Sequence, residues 1–370
     1  MLCTNTDVHF EFNMKDKSPN IRIKDIAILA GVSEGTVDRV IHQRGDVSPK
    51  SLEAVKKVME EINYSPNLLA RSLASKKQYS FICLFPEHNP TEYWHSIDNG
   101  FNFATSEFSH HNVHIEKIYF NQYDATSFTK AANEILEKEP DAVFIAPIFG
   151  KETLIFTNEL SKRNIPFSFI DSMIEEADFV TYYGQNSFQS GYIAAKLLLS
   201  KLPEKSKVLV VRTQRKGSVS NQTIARINGF MNYFQENNLE DKFEIINIEF
   251  NNDDEQANQE ILRNTFSKHG NIKAAITFNS KVYRLATHLV ELNQSPVRLI
   301  GYDLLDRNVD FLLQGVVSFL IAQRPEKQAY LTIRDMCRKL IFNQKTQKIN
   351  FVPIDILMKE NIEYYKDFKE

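Results

Sequence analysis

The sequence predicts an α/β fold in which a small all-α head precedes a two-lobed body built on parallel sheets. Residues 21–77 show only helical patterns, whereas from Tyr79 onward short β-rich runs alternate with amphipathic helical segments. The alternation continues for about 290 residues, which is more than one sheet comfortably holds, so two similar lobes are expected.

The composition is that of a globular protein. Of the 370 residues, 42% are hydrophobic and 25% are charged, which excludes wholesale disorder, a collagen and a disulfide scaffold. No apolar run approaches the roughly 20 residues that span a bilayer, and the start of the chain lacks the pattern of a signal peptide. The three cysteines are scattered and form no CxxC pair. We therefore expect a cytoplasmic protein with no membrane partner and no cofactor.

The charge is unevenly divided along the chain. Residues 21–78 carry ten lysines and arginines against seven acids, a net +3, which leaves −6 for the rest because the whole chain carries −3. A basic head on an acidic body is a weak indication of a polyanionic partner.

Four segments are predicted. Residues 1–20 show no sustained period and are interpreted as a flexible tail, with either Met1 or Met14 as the true start. Residues 21–64 form the helical head, residues 65–78 a short helix and linker, and residues 79–370 the body.

The head carries the pattern of a helix-turn-helix over Ile23–Val40. Ala27 supplies the small residue where the helices cross, Gly31 tolerates a positive φ in the turn, and Ser33 is placed to cap the second helix. Ser48 followed by Pro49 predicts a third helix that runs to about Ile62. An ordinary three-helix bundle that binds no DNA has the same local pattern and remains the alternative at this point.

The alternating segments of the body predict its strands and helices. The strands are Phe81–Phe85, Val113–Tyr119, Ala142–Ala146, Phe167–Ile170, Val208–Val211, Phe243–Glu249, Ala274–Phe278, Leu299–Tyr302 and Val317–Ala322. The helices include Trp94–Phe108, Ser127–Lys138, Glu152–Arg163, Ser187–Ser200, Ile224–Asn237 and Val282–Leu292.

Polar and aromatic side chains follow several of these strands. Ligands of two-lobed α/β proteins lie between the lobes at the carboxyl ends of strands, so these side chains are candidates for a ligand site. The aromatic pair can instead pack in a core, and each polar residue can instead cap a loop or form a surface salt bridge. The candidates are Tyr93, Trp94, Asp171, Asn186, Arg226, Asn279, Asp303 and Gln323.

Three blocks of the sequence resemble the LacI/GalR (lactose-repressor) family of bacterial transcription regulators. They are IKDIAILAGVSEGTVDRVI, VSPKSLEAVKKVMEEINYSPN and LLARSLASK, in that order. The resemblance implies a homodimer that binds a pseudo-palindromic double-stranded operator, most simply as a repressor. It places a hinge helix after the head and implies DNA contacts from Lys24, Ser33, Glu34, Gly35, Thr36, Arg39, Asn67, Ala70 and Leu73.

Two positions depart from the family pattern in the DNA-reading helix. Gly35 stands where a base-reading side chain is usual, and Asp38 replaces a small hydroxyl residue. The operator sequence therefore cannot be transferred from relatives.

The body is similar to periplasmic ribose-type binding proteins, so the predicted fold of the body is periplasmic-binding-protein-like. The similarity implies that Tyr93 and Trp94 stack on a monosaccharide whose hydroxyls bond the polar candidates. Ser172 stands where sugar-binding relatives often have an arginine, which leaves the identity of the sugar open.

Other classes of function have less support. The histidines between His88 and His114 lack a Cys partner or an HExxH spacing, so a metal site is not predicted. No GxSxG, GxxxxGK[ST] or strand-linked GxGxxG motif is present, which leaves an enzyme without a catalytic constellation. A sugar-binding receptor that never contacts DNA is the main alternative.

Overall fold

The computed structural model describes residues 23–41, 45–61, 77–213, 220–252, 254–294 and 296–366. Contacts divide the chain into two compact units, Met1–Arg71 and Ser72–Glu370. The division lies within the segment predicted as hinge and linker.

The described part of the head is a three-helix unit. Its helices are α1 (Ile23–Ala30), α2 (Glu34–Ile41) and α3 (Pro49–Glu61). A small apolar core of Ile26, Ala27, Val37, Val40 and Val55 joins all three.

Turn chemistry sets the ends of these helices. Gly31 has a φ of +65°, as the predicted turn requires. The Ser33 hydroxyl accepts a bond from the Thr36 backbone N–H at 3.1 Å, and Ser48 accepts one from the Ser51 N–H at 3.2 Å. Both predicted serine caps are therefore present, and each satisfies a backbone donor that the first helical turn leaves open.

The body consists of two lobes, each with a six-stranded sheet flanked by helices. Lobe 1 has the strand order β2-β1-β3-β4-β5-β11 and is parallel throughout. Its strands are β1 (Tyr79–Pro86), β2 (Val113–Phe120), β3 (Ala142–Ile145), β4 (Phe167–Asp171), β5 (Tyr182–Gln185) and β11 (Ile349–Val352). Its helices are α4 (Tyr93–Phe108), α5 (Ala125–Lys138), α6 (Gly150–Lys162) and α12 (Pro325–Leu340).

Lobe 2 repeats this arrangement with the strand order β7-β6-β8-β9-β10-β12, in which only β12 pairs antiparallel among the described strands. Its strands are β6 (Lys207–Thr213), β7 (Glu244–Phe250), β8 (Ile272–Thr277), β9 (Arg298–Tyr302), β10 (Phe319–Ala322) and β12 (Asp355–Leu357). Its helices are α7 (Ser187–Leu199), α8 (Asn221–Glu236), α9 (Glu255–Lys268), α10 (Val282–Glu291), α11 (Asp306–Leu313) and α13 (Ile362–Lys366).

The chain crosses between the lobes three times. It leaves lobe 1 after β5, returns after β10 and leaves again after β11. The side-chain amide of Gln185, at the end of β5, donates to the Ala322 carbonyl at the end of β10 at 2.9 Å. Two of the crossing segments are thus joined by a buried hydrogen bond. The predicted two-lobed α/β architecture with parallel sheets is confirmed.

The short strands β5, β11 and β12 and the helices α9, α11, α12 and α13 are not among the elements named from the sequence. These strands have three or four residues, and β5 is written YYGQ, so no apolar alternation marks them. The strand predicted over Val317–Ala322 begins at Phe319 instead.

Glycines allow the helices beside the cleft to approach closely. A Cβ on Gly191 of α7 would lie 1.9 Å from the carbonyl oxygen of Arg226 on α8, and a Cβ on Gly229 would lie 1.8 Å from the carbonyl oxygen of Phe188. The same holds in lobe 1, where a Cβ added to Gly100 of α4 would lie 2.2 Å from the carbonyl oxygen of Glu326 on α12. The Gly191 contact fixes the backbone position of Arg226.

Gly191→Ala is expected to destabilise the protein by about 2 kcal/mol or more, because the added methyl group forces the two helices apart. This loss exceeds the gain of roughly 1 kcal/mol that alanine brings to a helix interior. Urea unfolding followed by circular dichroism measures it. Gly270→Ala is the control, because nothing lies within 4 Å of its added Cβ. An unchanged transition in Gly191→Ala would show that the helices can move apart freely.

Candidate functional site

The described DNA-contact candidates of the head are exposed or half-buried. Lys24, Ser33, Glu34, Gly35 and Arg39 are exposed and Thr36 is half-buried. The apolar residues of α2 are buried on the other side of the helix. Asn67, Ala70 and Leu73 lie outside the described residues.

Two of these candidates are bonded to each other. The Ser33 and Thr36 hydroxyls lie 2.9 Å apart, and Ser33 also caps α2. The side chains of Glu34 and Arg39 leave the same helix into solvent, and Gly35 contributes no side chain. These residues at the start and along the exposed side of α2 therefore present a carboxylate, a guanidinium and hydroxyls, the groups that bond base edges and phosphates.

In the body, two buried aspartates lie at equivalent places in the two lobes. Asp171 ends β4 with a φ of 67°, and Asp303 follows β9 with a φ of 68°. Only about 5–6% of the surface of each is exposed. Left-handed backbone is unfavourable for a residue with a side chain and is concentrated at functional sites. This conformation and burial mark the pair as a site at the carboxyl ends of the strands.

A chain of hydrogen bonds connects these two carboxyl groups. Asp171 Oδ1 accepts from the Tyr93 hydroxyl at 2.6 Å and from Gln222 Nε2 at 3.0 Å. Gln222 Nε2 also lies 3.2 Å from Gln323 Oε1, and Gln323 Nε2 donates to Asp303 Oδ1 at 2.8 Å. Since Tyr93 and Asp171 belong to lobe 1 and the others to lobe 2, the chain crosses the cleft.

Arg226 is buried behind this chain with 1% of its surface exposed. Its Nη1 donates to the Phe278 carbonyl at 3.0 Å and its Nη2 to Gln323 Oε1 at 3.3 Å. The guanidinium carbon lies 3.9 Å from the centre of the Tyr302 ring, a cation–π arrangement. Arg226 therefore orients Gln323, whose backbone carbonyl also accepts from Gln328 Nε2 at 2.6 Å.

Burial controls the ionisation of the site. It raises the pKa of Asp303 to about 6, and the nearby carboxylate of Asp171 acts in the same direction, while Arg226 and the Gln323 amide oppose the shift. Burial, reinforced by the Asp171 carboxylate, also raises the pKa of the Tyr93 hydroxyl well above its ordinary value. The Tyr93 hydroxyl is therefore a fixed donor to Asp171.

The raised pKa of Asp303 predicts a pH dependence of stability. Between about pH 4 and pH 6 the folded protein holds a proton on Asp303 that the unfolded chain has released, so this group lowers stability as pH rises through that interval. Asp303→Asn is expected to remove this loss, so the variant gains stability relative to wild type as pH rises to 6. Urea unfolding at intervals between pH 4 and pH 6 tests this prediction. If the free energies of unfolding of the two proteins change in parallel with pH, the prediction is wrong.

The remaining predicted ligand residues have local partners. Asn186 caps α7 by accepting from the Gln189 N–H at 2.9 Å. Asn279 donates to the Thr213 hydroxyl at 2.7 Å and accepts from the Lys281 N–H at 2.9 Å. Trp94 is buried with its ring 5.2 Å from that of Tyr93. The network thus joins five of the eight candidates: Tyr93, Asp171, Arg226, Asp303 and Gln323.

Sequence reasoning missed Gln222, although it bonds both lobes. The available signal was its spacing, because it lies four residues before Arg226 and therefore on the same face of a helix. Gln185 and Gln328 were also missed. Both are buried glutamines whose amides hold backbone carbonyls at strand ends, and neither stands in a recognisable motif.

Neither a metal-binding cluster nor a membrane-spanning helix is seen in the described residues. No group of three or more His, Cys, Asp or Glu side chains there is placed to hold a metal ion. Each helix in these residues is too short or too polar to span a bilayer.

Family models match both parts of the chain. Residues 22–67 match the model described as bacterial regulatory proteins, lacI family, and residues 82–344 match the periplasmic binding protein domain. The second match alone covers more than half of the chain.

Individual relatives agree with these matches. A crystal structure from Bacteroides fragilis, assigned to the LacI transcriptional regulators, is 38% identical and covers 78% of this chain and 100% of that one, with a TM-score of 0.73. The transcriptional regulator MalR of Streptococcus pneumoniae is 24% identical over 49% of this chain and 54% of its own length. The sucrose operon repressor of Streptococcus mutans is 28% identical over 48% and 52%.

The chain spans about half the length of the curated relatives it matches. Those relatives are named as transcriptional regulators and not as enzymes. The chain belongs to the lacI family of bacterial regulatory proteins, and its body is a periplasmic binding protein domain.

Proposed function

We propose that the protein is a sequence-specific DNA-binding transcription regulator, a repressor, whose operator binding is controlled by a small carbohydrate held between the two lobes. The observation that carries this proposal is the chain of hydrogen bonds from Tyr93 through Asp171 and Gln222 to Gln323 and Asp303. It places planar polar groups from both lobes in one cleft. A ligand that binds them acts on both lobes at once.

The chemistry of the cleft suits a sugar. Carboxylates and side-chain amides accept from hydroxyl groups, while the Gln222 and Gln323 amides also donate. The aromatic pair of Tyr93 and Trp94 lies at the start of α4, next to the carboxylate that Tyr93 bonds. A family relative is named for the sucrose operon, in line with this ligand class.

The surface of α2 supports the proposed DNA contact. Its exposed Glu34 and Arg39 are separated from the buried Val37 and Val40, as a helix needs if it enters the major groove while packed on its own domain. We propose that Arg39 bonds base edges or phosphates and that Lys24 contacts the backbone. Asn67, Ala70 and Leu73 complete the DNA contacts in the proposed hinge at residues 65–78.

The mechanism we propose is a change of lobe closure. Gln222 bonds both Asp171 across the cleft and Gln323 within lobe 2, so a sugar that competes for these acceptors changes the contact between the lobes. The proposed homodimer transmits this change to two heads on a pseudo-palindromic operator in the cytoplasm. Such coupling between sites amounts to about 1–3 kcal/mol.

Selection of DNA from a random library by the purified full chain tests the DNA-binding half. A pseudo-palindromic consensus bound by two copies is the expected result. A sugar-binding receptor without DNA contact is the alternative function, and no enrichment of any sequence would favour it.

A thermal-shift screen against monosaccharides tests the ligand-binding half. A rise of several degrees with one sugar is expected, and Asp303→Ala should abolish it. No rise with any sugar would contradict a carbohydrate effector.

A further inference from the structure

Asn308 is a buried asparagine that connects the loops after two strands of lobe 2. It lies in the first turn of α11, and none of its surface is exposed. Its Nδ2 donates to the carbonyl oxygen of Ser280 at 2.8 Å and to those of Tyr302 and Asp303 at 3.1 Å each. Its Oδ1 accepts from the Tyr283 N–H at 3.0 Å. One side chain thus holds the loop after β8, the start of α10 and the loop after β9.

The partners of this side chain require an amide. The three backbone carbonyls accept, whereas the Tyr283 N–H donates, so the group between them must offer donors on one side and an acceptor on the other. An alanine in this place would leave buried backbone groups without a partner. The backbone around position 308 therefore selects asparagine.

The bond to Asp303 bears on the hydrogen-bond network, because this aspartate has a left-handed backbone with a φ of 68°. Such a conformation persists only where the surrounding structure holds it. The Asp303 N–H donates to the Ile321 carbonyl at 3.0 Å, and the Asp303 carbonyl accepts from Asn308. Both backbone polar groups of Asp303 are thus bonded, one to β10 and one to α11. This backbone sets the direction of the carboxyl group that bonds Gln323.

The loop after β8 also faces the other lobe. Ser280, whose carbonyl Asn308 holds, stands between the ligand candidate Asn279 and Lys281. Lys281 Nζ donates to the Tyr123 hydroxyl in lobe 1 at 3.3 Å. Asn308 bonds backbone atoms only, so it acts on the cleft through Asp303 and through this loop.

From this arrangement we infer that Asn308 is a positioning residue of the sugar site. It holds the Asp303 carboxyl group and the loop after β8 in the places where a sugar between the lobes contacts them. The inference rests on the proposed function, since it assigns a further residue to the same cleft. It places a determinant of sugar affinity outside the set of side chains that reach the sugar.

Asn258 provides a matched control in the same lobe. It is an asparagine with none of its surface exposed, and it bonds the backbone of Asn251 through Nδ2 at 2.8 Å and through Oδ1 at 2.6 Å. Asn251 follows β7, an edge strand, and none of the network residues lies in that loop. Asn258→Ala should therefore lower stability as Asn308→Ala does, because each variant leaves buried backbone groups unbonded, but it should not alter the cleft.

Titration calorimetry and urea unfolding of the purified full chain test the inference, with D-ribose, D-glucose and D-galactose as probes. For a sugar that binds the wild type, Asn308→Ala is expected to weaken binding by about 10- to 100-fold, as is typical when a group that orients a ligand-binding side chain is removed. Asn258→Ala should bind the same sugar as tightly as the wild type does. Equal sugar affinities in the two variants, whether retained or lost, overturn the inference and leave the carbohydrate sensor standing.

A second measurement needs no sugar, and it decides the inference even if none of the three sugars binds, a result that counts against the proposed effector class alone. Crystal structures should show Asp303 Oδ1 displaced from Gln323 Nε2 in Asn308→Ala and the 2.8 Å contact retained in Asn258→Ala. An unmoved Asp303 in Asn308→Ala overturns the inference. If the alanine variant does not fold, Asn308→Ser, which keeps one donor, replaces it in both measurements with the same two outcomes.

Discussion

Arg226→Met is expected to abolish sugar binding and to destabilise the protein by about 3 kcal/mol or more. The substitution removes the donors to the Phe278 carbonyl and to Gln323, and it leaves the buried Asp303 carboxyl group without the nearby positive charge of Arg226. Calorimetry with the sugar that binds wild type measures the first effect, and urea unfolding measures the second.

A double variant separates the two causes of this loss. Adding Asp303→Asn to Arg226→Met removes one uncompensated carboxyl group, so it should restore part of the stability but not the sugar binding. If Arg226→Met binds sugar as tightly as wild type, the guanidinium does not organise the site, and the central part of the network is assigned wrongly.

Arg39→Ala is expected to weaken binding to the selected operator by about 5- to 150-fold, the effect of losing one base or phosphate contact. Arg39 is exposed on the helix that carries Glu34, and its loss removes no core contact. Fluorescence anisotropy with the selected duplex and with a scrambled duplex distinguishes the two kinds of contact. A base contact weakens only the selected duplex, whereas a phosphate contact weakens both.

Arg263→Ala provides the matched control for this charge change. Arg263 lies on α9 of the body and pairs with Glu260 at the surface. The Arg263→Ala substitution should leave the affinity for the operator unchanged. Equal losses in the two variants would show that the effect of Arg39 is a general effect of net charge.

The parts of the fold that local chemistry determines were predictable. Gly31, Ser33 and Ser48 mark the turn and the helix starts of the head, and each has the predicted conformation or hydrogen bond. Long strands with apolar runs, such as β1, were equally clear because burial of both faces leaves a continuous signal in the sequence.

Features that depend on distant partners were not predictable. Gln222 is significant because Asp171 lies opposite it across the cleft, and Asp171 is 51 residues earlier in the chain. Asn186 follows a strand as a ligand residue would, yet its side chain caps α7 in the structure. Strand-end position identifies candidates, but the direction of each side chain depends on packing that no local pattern contains.

The most direct test of sugar-controlled DNA binding is the affinity of the full chain for its selected operator with and without the sugar that binds it. Fluorescence anisotropy should show a change of about 5- to 150-fold at saturating sugar, corresponding to a coupling of about 1–3 kcal/mol. Asp303→Asn should lose this change while retaining the affinity measured without sugar. Identical operator affinity with and without a sugar that demonstrably binds would contradict the proposal that the cleft controls the head.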